Sequence, residues 1–254
     1  MSELITLAVT AVALRVTGAV LATAVRVLDQ GLSATARTAF RELTRGVPEQ
    51  TRTVSAPARA TAAPMPERVR ALGLSPDEAR GLAELVQVAA LPVDDPERLR
   101  DDLRNTPVER WPEVVRAAHA RAFVQSLTAA AVQACRGIGF DRVEVLGNRI
   151  QAQDGSGRAL VVEVEPEGVL RAEVLGTADP SCHQVIDGFL RGLQENGVEF
   201  RDPRREPTAG MPATEAGREW VRRRYGIRRE VPSSGGSRTR PASVSRVTIG
   251  RYKP

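Results

Sequence analysis

The sequence predicts an α+β fold in which a four-stranded antiparallel meander is flanked by two helices. Between residues 140 and 175, apolar and polar residues alternate with a period of two, and turn residues interrupt the alternation. Amphipathic segments over residues 112–136 and 180–196 stand on either side of this region, and such helices can cover the apolar face of a sheet. We therefore expect an α+β domain over residues 109–202.

Each strand of the meander follows from the alternation and the turns between them. Val143 and Val145 alternate with charged neighbours, and the Gly-Asn pair that follows allows a tight turn. The Asp-Gly-Ser-Gly segment at residues 154–157 is typical of a hairpin loop, because these residue types tolerate positive φ. Pro-Glu-Gly at 166–168 predicts another turn. The predicted strands cover residues 142–145, 149–153, 159–165 and 169–175.

Residues 1–45 are predicted to form an apolar or amphipathic helix, with the helical period extending over residues 4–43. At 100° per residue, Arg15 and Arg26 share one narrow stripe, and aliphatic residues fill most of the remaining circumference. So wide a face must be buried, which predicts docking on a protein partner or on a membrane surface. A transmembrane span is the less favoured alternative, because Arg15 near mid-bilayer would cost about 2.5–3.5 kcal/mol. The predicted docking residues are Leu7, Leu14, Val16, Leu21 and Val25.

The other segments outside the meander differ in composition. Residues 46–66 are predicted to be a flexible linker, because Pro, Ala, Thr and Arg dominate them without an apolar period. Residues 67–108 are predicted to form a small helical segment, in which Ser75 provides an N-cap and Pro76 the first helical position. This segment is either a lid on the main domain or a protein-binding module. Residues 203–254 are predicted to be a basic, largely disordered tail.

Positive charge is concentrated at the C-terminal end. The net charge is +5, but residues 201–254 hold 13 Arg and 1 Lys against 5 acidic residues, a net charge of +9. Residues 214–225 are predicted to be a short helix on which arginines alternate with aromatic residues. That combination suits phosphate contacts and base stacking. The predicted nucleic-acid-binding residues are Arg218, Trp220, Arg222, Arg223, Arg224 and Tyr225.

Chemical motifs are scarce. We recognise no complete catalytic triad, metal-ligand cluster or phosphate loop in the sequence, so no metal, cofactor or small-molecule substrate is predicted. The sharpest candidates are Cys182 and His183, because helix amides and a neighbouring imidazole would favour the thiolate. Against this, Cys182 shares a helical face with Ile186 and Phe189, as a packed core cysteine would, and His183 points about 100° away from it.

Short motifs between residues 135 and 206 carry a resemblance. They are the RGIGF turn at 136–140, the strand-turn-strand PEGVLRAEVLG at 166–176, the Ser181-Cys182 start of a helix, and Arg205-Glu206-Pro207. With them this segment resembles a family of small bacterial and plastid proteins of unknown function that are encoded beside AAA+ ATPase genes. The chain departs from the family pattern at residues 178–180, where the family favours a second glycine. The resemblance implies an α+β accessory domain that works with an ATPase, and it implies no catalytic residues.

These features lead to three functional predictions. The first is a non-enzymatic adaptor or regulatory protein that docks partners, an AAA+ ATPase among them, through the N-terminal helix and the α+β module. The alternatives are nucleic-acid binding by the arginine-rich tail and a thiol-dependent activity at Cys182. Two cysteines, and Glu3 where a signal peptide would be basic, predict a cytoplasmic protein, with membrane association as the alternative.

Overall fold

The computed structural model of the chain describes residues 4–16, 18–45, 52–56, 67–93, 95–175, 181–208, 212 and 214–225. Its strands are β1 (Leu4–Val16), β2 (Arg52–Ser55), β3 (Arg142–Leu146), β4 (Arg149–Gln153), β5 (Ala159–Val164), β6 (Val169–Leu175) and β7 (Val198–Thr208). Its helices are α1 (Gly18–Asp29), α2 (Ala34–Thr44), α3 (Glu67–Arg70), α4 (Pro76–Val88), α5 (Pro96–Asn105), α6 (Trp111–Gly137), α7 (Ser181–Glu195) and α8 (Glu215–Tyr225). A single 3-10 turn, Val108–Arg110, precedes α6 in this part of the chain.

The predicted meander forms one side of a wider antiparallel sheet. Strands β3, β4, β5 and β6 pair in chain order, and α6 and α7 stand where the flanking helices are predicted, which confirms the α+β class. β6 then pairs with β1, and β7 pairs with β1 as well. Because β2 and β7 pair with the same residues of β1, Ala13 and Leu14, they lie on its opposite edges. β1 is therefore a central strand.

The prediction of one helix over residues 4–43 is wrong. The first 13 residues of that segment form β1, and the helices α1 and α2 follow it. Leu7 and Val9 project into the core, each 1% exposed, and Ala8 between them projects to the opposite face. A segment so dense in aliphatic residues satisfies both the helical and the strand period. Pairing on both edges decides in favour of the strand.

The predicted docking residues do not form an exposed helical face. Leu7 and Leu14 are buried in β1, at 1% and 3% exposure. Val16 and Val25 are partly buried and pack against the same core. The side chain of Leu21 lies outside the described residues. The aliphatic residues that the helical interpretation assigned to a partner are thus used largely by the chain's own core.

Two segments predicted to be flexible contain regular structure. β2 falls within the predicted linker, where Val54 is fully buried and pairs with Leu14. The second half of β7 falls within the predicted tail, and β7 pairs with β1 along most of its length. Helix α8 lies in the same tail, where a short helix over residues 214–225 was predicted. Residues 209–211, 213 and 226–254 of that tail lie outside the described residues. Short polar segments of this kind gain their structure from pairing with a distant strand, which their own composition does not reveal.

One continuous apolar core lies on one face of the sheet, hereafter the inner face, and extends among the helices. It includes Leu7 of β1, Leu28 of α1, Leu82 of α4, Phe123 of α6 and Phe189 of α7. Buried residues from the predicted segments 1–45, 67–108 and 109–202 therefore contribute to the same core. The helix α4 packs on α6, and it begins at the predicted N-cap, where the Ser75 hydroxyl oxygen accepts a hydrogen bond from the Glu78 amide at 3.2 Å.

Candidate functional site

The other face of the sheet, hereafter the outer face, is covered over β4 and β5 by α8. This contact has little apolar surface. Its buried apolar residues are Ala159, Val161 and Leu175 of the sheet and Ala216 of α8, with Val221 packed partly buried against them. Helix α8 therefore needs polar contacts to hold its position.

Two carboxylates of the sheet accept hydrogen bonds from the residues at the start of α8. Glu173 is fully buried and accepts hydrogen bonds from the Thr214 hydroxyl at 2.5 Å and the Thr214 amide at 3.2 Å. Glu163 accepts from the amides of Glu215 and Ala216 at 3.3 and 2.9 Å. The first amides of a helix lack partners within the helix, and negative charge there complements the helix dipole. The sheet thus supplies a socket of two carboxylates, Glu163 and Glu173, for this helix.

Three of the four α8 arginines that were predicted to bind nucleic acid form ion pairs with glutamates of the same helix. Arg218 and Arg222 both contact Glu215, at 3.1 and 2.8 Å, and Arg223 contacts Glu219 at 2.8 Å. Arg222 and then Arg218 hold the pKa of Glu215 below its usual value. Helix α8 therefore brings these three arginines together. Glu215 and Glu219 of the same helix partly neutralise their positive charge. The side chains of Trp220, Arg224 and Tyr225 lie outside the described residues.

The predicted thiol pair is divided between the core and the surface. Cys182 is 6% exposed and belongs to the inner core together with Ile186 and Phe189, whereas His183 is exposed. Cys135 is fully buried, and burial raises the pKa of its thiol to about 12. This arrangement favours the packing interpretation of Cys182 over the reactive one.

Two depressions lie on the surface of the described residues. One lies along α2 and is lined by Arg41 and Arg45, and another lies at the turn from α7 to β7, lined by Gly197 and Phe200. Among the described residues, no group of three or more His, Cys, Asp or Glu side chains is placed to hold a metal ion. In that same part of the chain, no helix combines the length and the apolarity needed to cross a bilayer.

The edge of the sheet at β3 is the most exposed apolar feature of the described residues. Within that part of the chain β3 pairs only with β4, so the backbone groups on its other side have no strand partner there. Val145 and Leu146 are 47% and 39% exposed. Val143 is partly buried against the inner core, and Arg142 and Glu144 are exposed. These five residues with their open side are hereafter the β3 edge.

Sequence reasoning missed the β3 edge as a site. It predicted Val143 and Val145 as strand residues but gave Leu146 no role. One feature of the sequence could have indicated it: Leu146 is an aliphatic residue directly before the turn that ends the first strand of the meander. The first strand of a meander lies at the edge of its sheet unless another strand pairs with it.

Comparison with known proteins adds no functional assignment to this geometry. No protein-family model matches the chain, and no curated protein and no solved structure matches it significantly. Function is therefore inferred from the surfaces described above.

Proposed function

We propose that the protein is an adaptor that binds an extended segment of a partner protein along the β3 edge. One observation carries the proposal: an open backbone edge and two exposed aliphatic side chains, Val145 and Leu146, coincide on one short strand. Strand addition uses both features, because main-chain hydrogen bonds supply affinity and alternate side chains supply specificity. Proteins commonly blunt an open edge by covering it or placing charges along it, so an edge with exposed aliphatic residues suits a partner.

The side chains of β3 define the chemistry of that partner. Val143 and Val145 lie opposite Ala152 and Ile150 of the inner core and so project toward the inner face, where aliphatic side chains of an added strand would pack against them. Arg142 and Glu144 project toward the outer face, where an acidic and a basic residue of the partner would lie opposite. The preferred segment therefore alternates aliphatic residues with residues of complementary charge.

A second copy of this chain fits the β3 edge less well. In two-fold antiparallel pairing, the register that sets Val143 opposite Val145 also sets Glu144 opposite Glu144 of the second copy. The register that sets Arg142 opposite Glu144 also sets Val143 opposite Val143, but it sets Val145, the more exposed of the two valines, opposite the carboxylate of Asp141. The first register thus places like charges directly opposite each other, which is destabilising, and the second leaves Val145 without an aliphatic partner. We therefore favour a different protein as the occupant.

An AAA+ ATPase is the first partner to test, because the segment that resembles the ATPase-associated family, residues 135–206, contains the β3 edge. In that arrangement the ATPase would contribute an extended terminal or loop segment. The adaptor would contribute the rigid sheet that lies behind β3.

The test pairs a binding measurement with a map of the bound residues. An AAA+ ATPase of the source organism is titrated against the full chain, and amide hydrogen exchange is followed with and without it. We expect new protection over β3 and a loss of affinity of at least about tenfold, roughly 1.4 kcal/mol, in Val145→Lys/Leu146→Lys. Ala117→Lys/Ala129→Lys, at exposed positions of α6, is the matched control and should bind normally.

Three results would overturn the proposal. One is binding that protects a surface other than β3, and another is equal loss of affinity in both double variants. The third is a concentration-dependent dimer of the wild-type chain that Val145→Lys/Leu146→Lys disperses, because the β3 edge would then serve self-association.

A further inference from the structure

Three arginines converge on the outer face of β1, beside the area that α8 covers. Pairing sets Arg171 of β6 and Arg204 of β7 on either side of Ala8. Farther along β1, Thr10 lies opposite Arg201 of β7. Residues directly opposite each other in antiparallel strands project from the same face of the sheet. These five residues therefore form one strip, hereafter the arginine face, with Ala8 and Thr10 as its floor.

A bulge in β7 is what creates this strip. Arg201 and Arg204 are three residues apart, so a regular strand would direct them to opposite faces. The register shifts between Ala8 and Thr10, where β7 spans three residues against two of β1. The extra residue returns both arginines to one face.

The arginine face is open to solvent. Leu7 and Val9 are 1% exposed in the inner core, so Ala8 between them projects outward. All three arginines are exposed, whereas Ala8 and Thr10 are half-buried. Arg171 forms an ion pair with Glu165 at 2.6 Å. Arg201 and Arg204 form no ion pair with any residue whose side chain the structure describes.

We propose that the arginine face binds the phosphate backbone of a nucleic acid. Two strand spacings separate Arg171 from Arg204, about 10 Å, and Arg201 lies about 7 Å along the strands from that pair. Guanidinium groups bind phosphate through paired hydrogen bonds, and neighbouring phosphates of one strand could contact this strip together. The interaction is separate from partner docking, because the β3 edge lies at the opposite side of the sheet.

The two central residues of the arginine face, Ala8 and Thr10, indicate which parts of a nucleic acid would be contacted. Ala8 and Thr10 have no ring on which a base could stack and no long side chain that could reach a base edge. Contacts would therefore go to phosphates, which fix position without reading sequence. Binding should be insensitive to sequence and steeply sensitive to salt.

The distribution of charge favours a polyphosphate chain over an isolated acidic segment of a protein. Arg201 and Arg204 belong to residues 201–254, which carry a net charge of +9. Helix α8, on the same face of the sheet, leads in sequence to the remaining basic residues of that segment. A ligand with one negative charge per nucleotide can satisfy this number of cations, whereas a short acidic peptide satisfies only a few.

The experiment measures binding of labelled single-stranded and duplex oligonucleotides to the full chain by fluorescence anisotropy at a series of salt concentrations. Arg171→Gln/Arg201→Gln/Arg204→Gln is compared with the matched control Arg110→Gln/Arg136→Gln/Arg191→Gln. The control removes the same charge from exposed positions outside the outer face. A further variant, Arg201→Lys/Arg204→Lys, keeps the charge and so separates charge from folding defects.

We expect the outer-face variant to lose at least about tenfold in affinity near 0.1 M salt. For single strands, the slope of log affinity against log salt should become shallower by about 2, at roughly 0.7 per phosphate contact. The control and the lysine variant should keep most of the wild-type affinity. Equal loss in the control, an unchanged affinity of the outer-face variant, or loss in the lysine variant as large as that of the glutamine variant would overturn the proposal. So would arginine-dependent binding of a poly-glutamate peptide at an affinity equal to that of the oligonucleotide.

Discussion

The two faces of the sheet are covered in different ways. On the inner face, α6 and α7 bury their side chains against β1 and the meander in one continuous apolar core. On the outer face, α8 rests on a few small apolar residues and is fixed by Glu163 and Glu173, while Arg149 links Glu163 to Glu219 at 3.2 and 3.0 Å. Apolar burial stabilises in proportion to area, whereas a buried carboxylate stabilises only while its hydrogen bonds are made. The contacts on the inner face therefore stabilise the whole fold, whereas those on the outer face stabilise the position of one helix, α8.

This difference also determines where ligands can bind. The inner face is occupied by the chain's own helices, whereas the β3 edge and the part of the outer face that α8 does not cover are open among the described residues. Both proposed surfaces lie on the outside of a sheet whose other side is firmly packed. A rigid support of this kind reduces the ordering that a partner must bring about on binding.

The largest expected effect is the truncation of a leucine on the inner face. Leu160 of β5 is fully buried in the continuous core. Leu160→Ala should lower the free energy of unfolding by about 2–5 kcal/mol, because neighbours on all sides are held in place and cannot fill the cavity. Chemical denaturation followed by circular dichroism measures the loss.

The matched control is Leu175→Ala on the outer face. Leu175 of β6 is 2% exposed but belongs to the small cluster under α8. The same atoms are removed, yet the loss should be smaller, about 1–2 kcal/mol, because α8 can settle toward the sheet. Equal losses in the two variants would show that the outer cluster is packed as rigidly as the inner core, and the contrast between the faces would fail.

An intermediate effect is expected where α8 begins. Thr214→Ala removes the hydroxyl that donates to Glu173 at 2.5 Å and accepts from the Gly217 amide at 3.0 Å. The loss should be about 1–2 kcal/mol, concentrated in α8. Amide hydrogen exchange should accelerate in α8 and stay unchanged in α6, and Thr214→Ser should restore the wild-type rates. Equal acceleration in α6 would mean that the socket supports the whole fold rather than one helix.

The strands and helices of the inner face could be predicted from the sequence where the patterns that indicate them lie within one short segment of the chain. The meander, its turns and the helices α6 and α7 all lie between residues 111 and 195, and their periods and breaks can be read without distant partners. Turn glycines agree with this: Gly147 and Gly168 have φ of 65° and 82°, a conformation that glycine adopts at no steric cost. β1 could not be predicted in this way, because β6 and β7, more than a hundred residues away, decide between its two possible periods.

The candidate surfaces depend even more on long-range pairing. Val145 was recognisable as a strand residue and Leu146 was given no role, and the exposure of both follows from β3 being an edge, which no local pattern indicates. Arg201 and Arg204 are spaced to point apart in a regular strand, and only the bulge opposite β1 sets them on one face. The predicted arginines of α8 were placed on a helix correctly, but their pairing with Glu215 and Glu219 was not anticipated.

The smallest expected effect concerns the hairpin between β4 and β5, which belongs to neither covering layer. Asp154 accepts hydrogen bonds from the amide and hydroxyl of Ser156 at 2.9 and 2.7 Å, and it forms an ion pair with Arg158 at 2.6 Å. Burial would raise the pKa of Asp154, but these bonds from Ser156 and Arg158 outweigh it and hold the pKa below its usual value. A carboxyl group with a lowered pKa in the folded state contributes stability above its unfolded pKa of about 3.9, and that contribution is lost as pH falls through the folded value. Asp154→Asn should therefore cost about 0.5–1.5 kcal/mol at neutral pH, and this cost should shrink as the pH falls below the unfolded value, as measured by urea denaturation at a series of pH values. A deficit of the same size at both ends of that series would mean that the loop depends on the shape of this side chain and not on its charge.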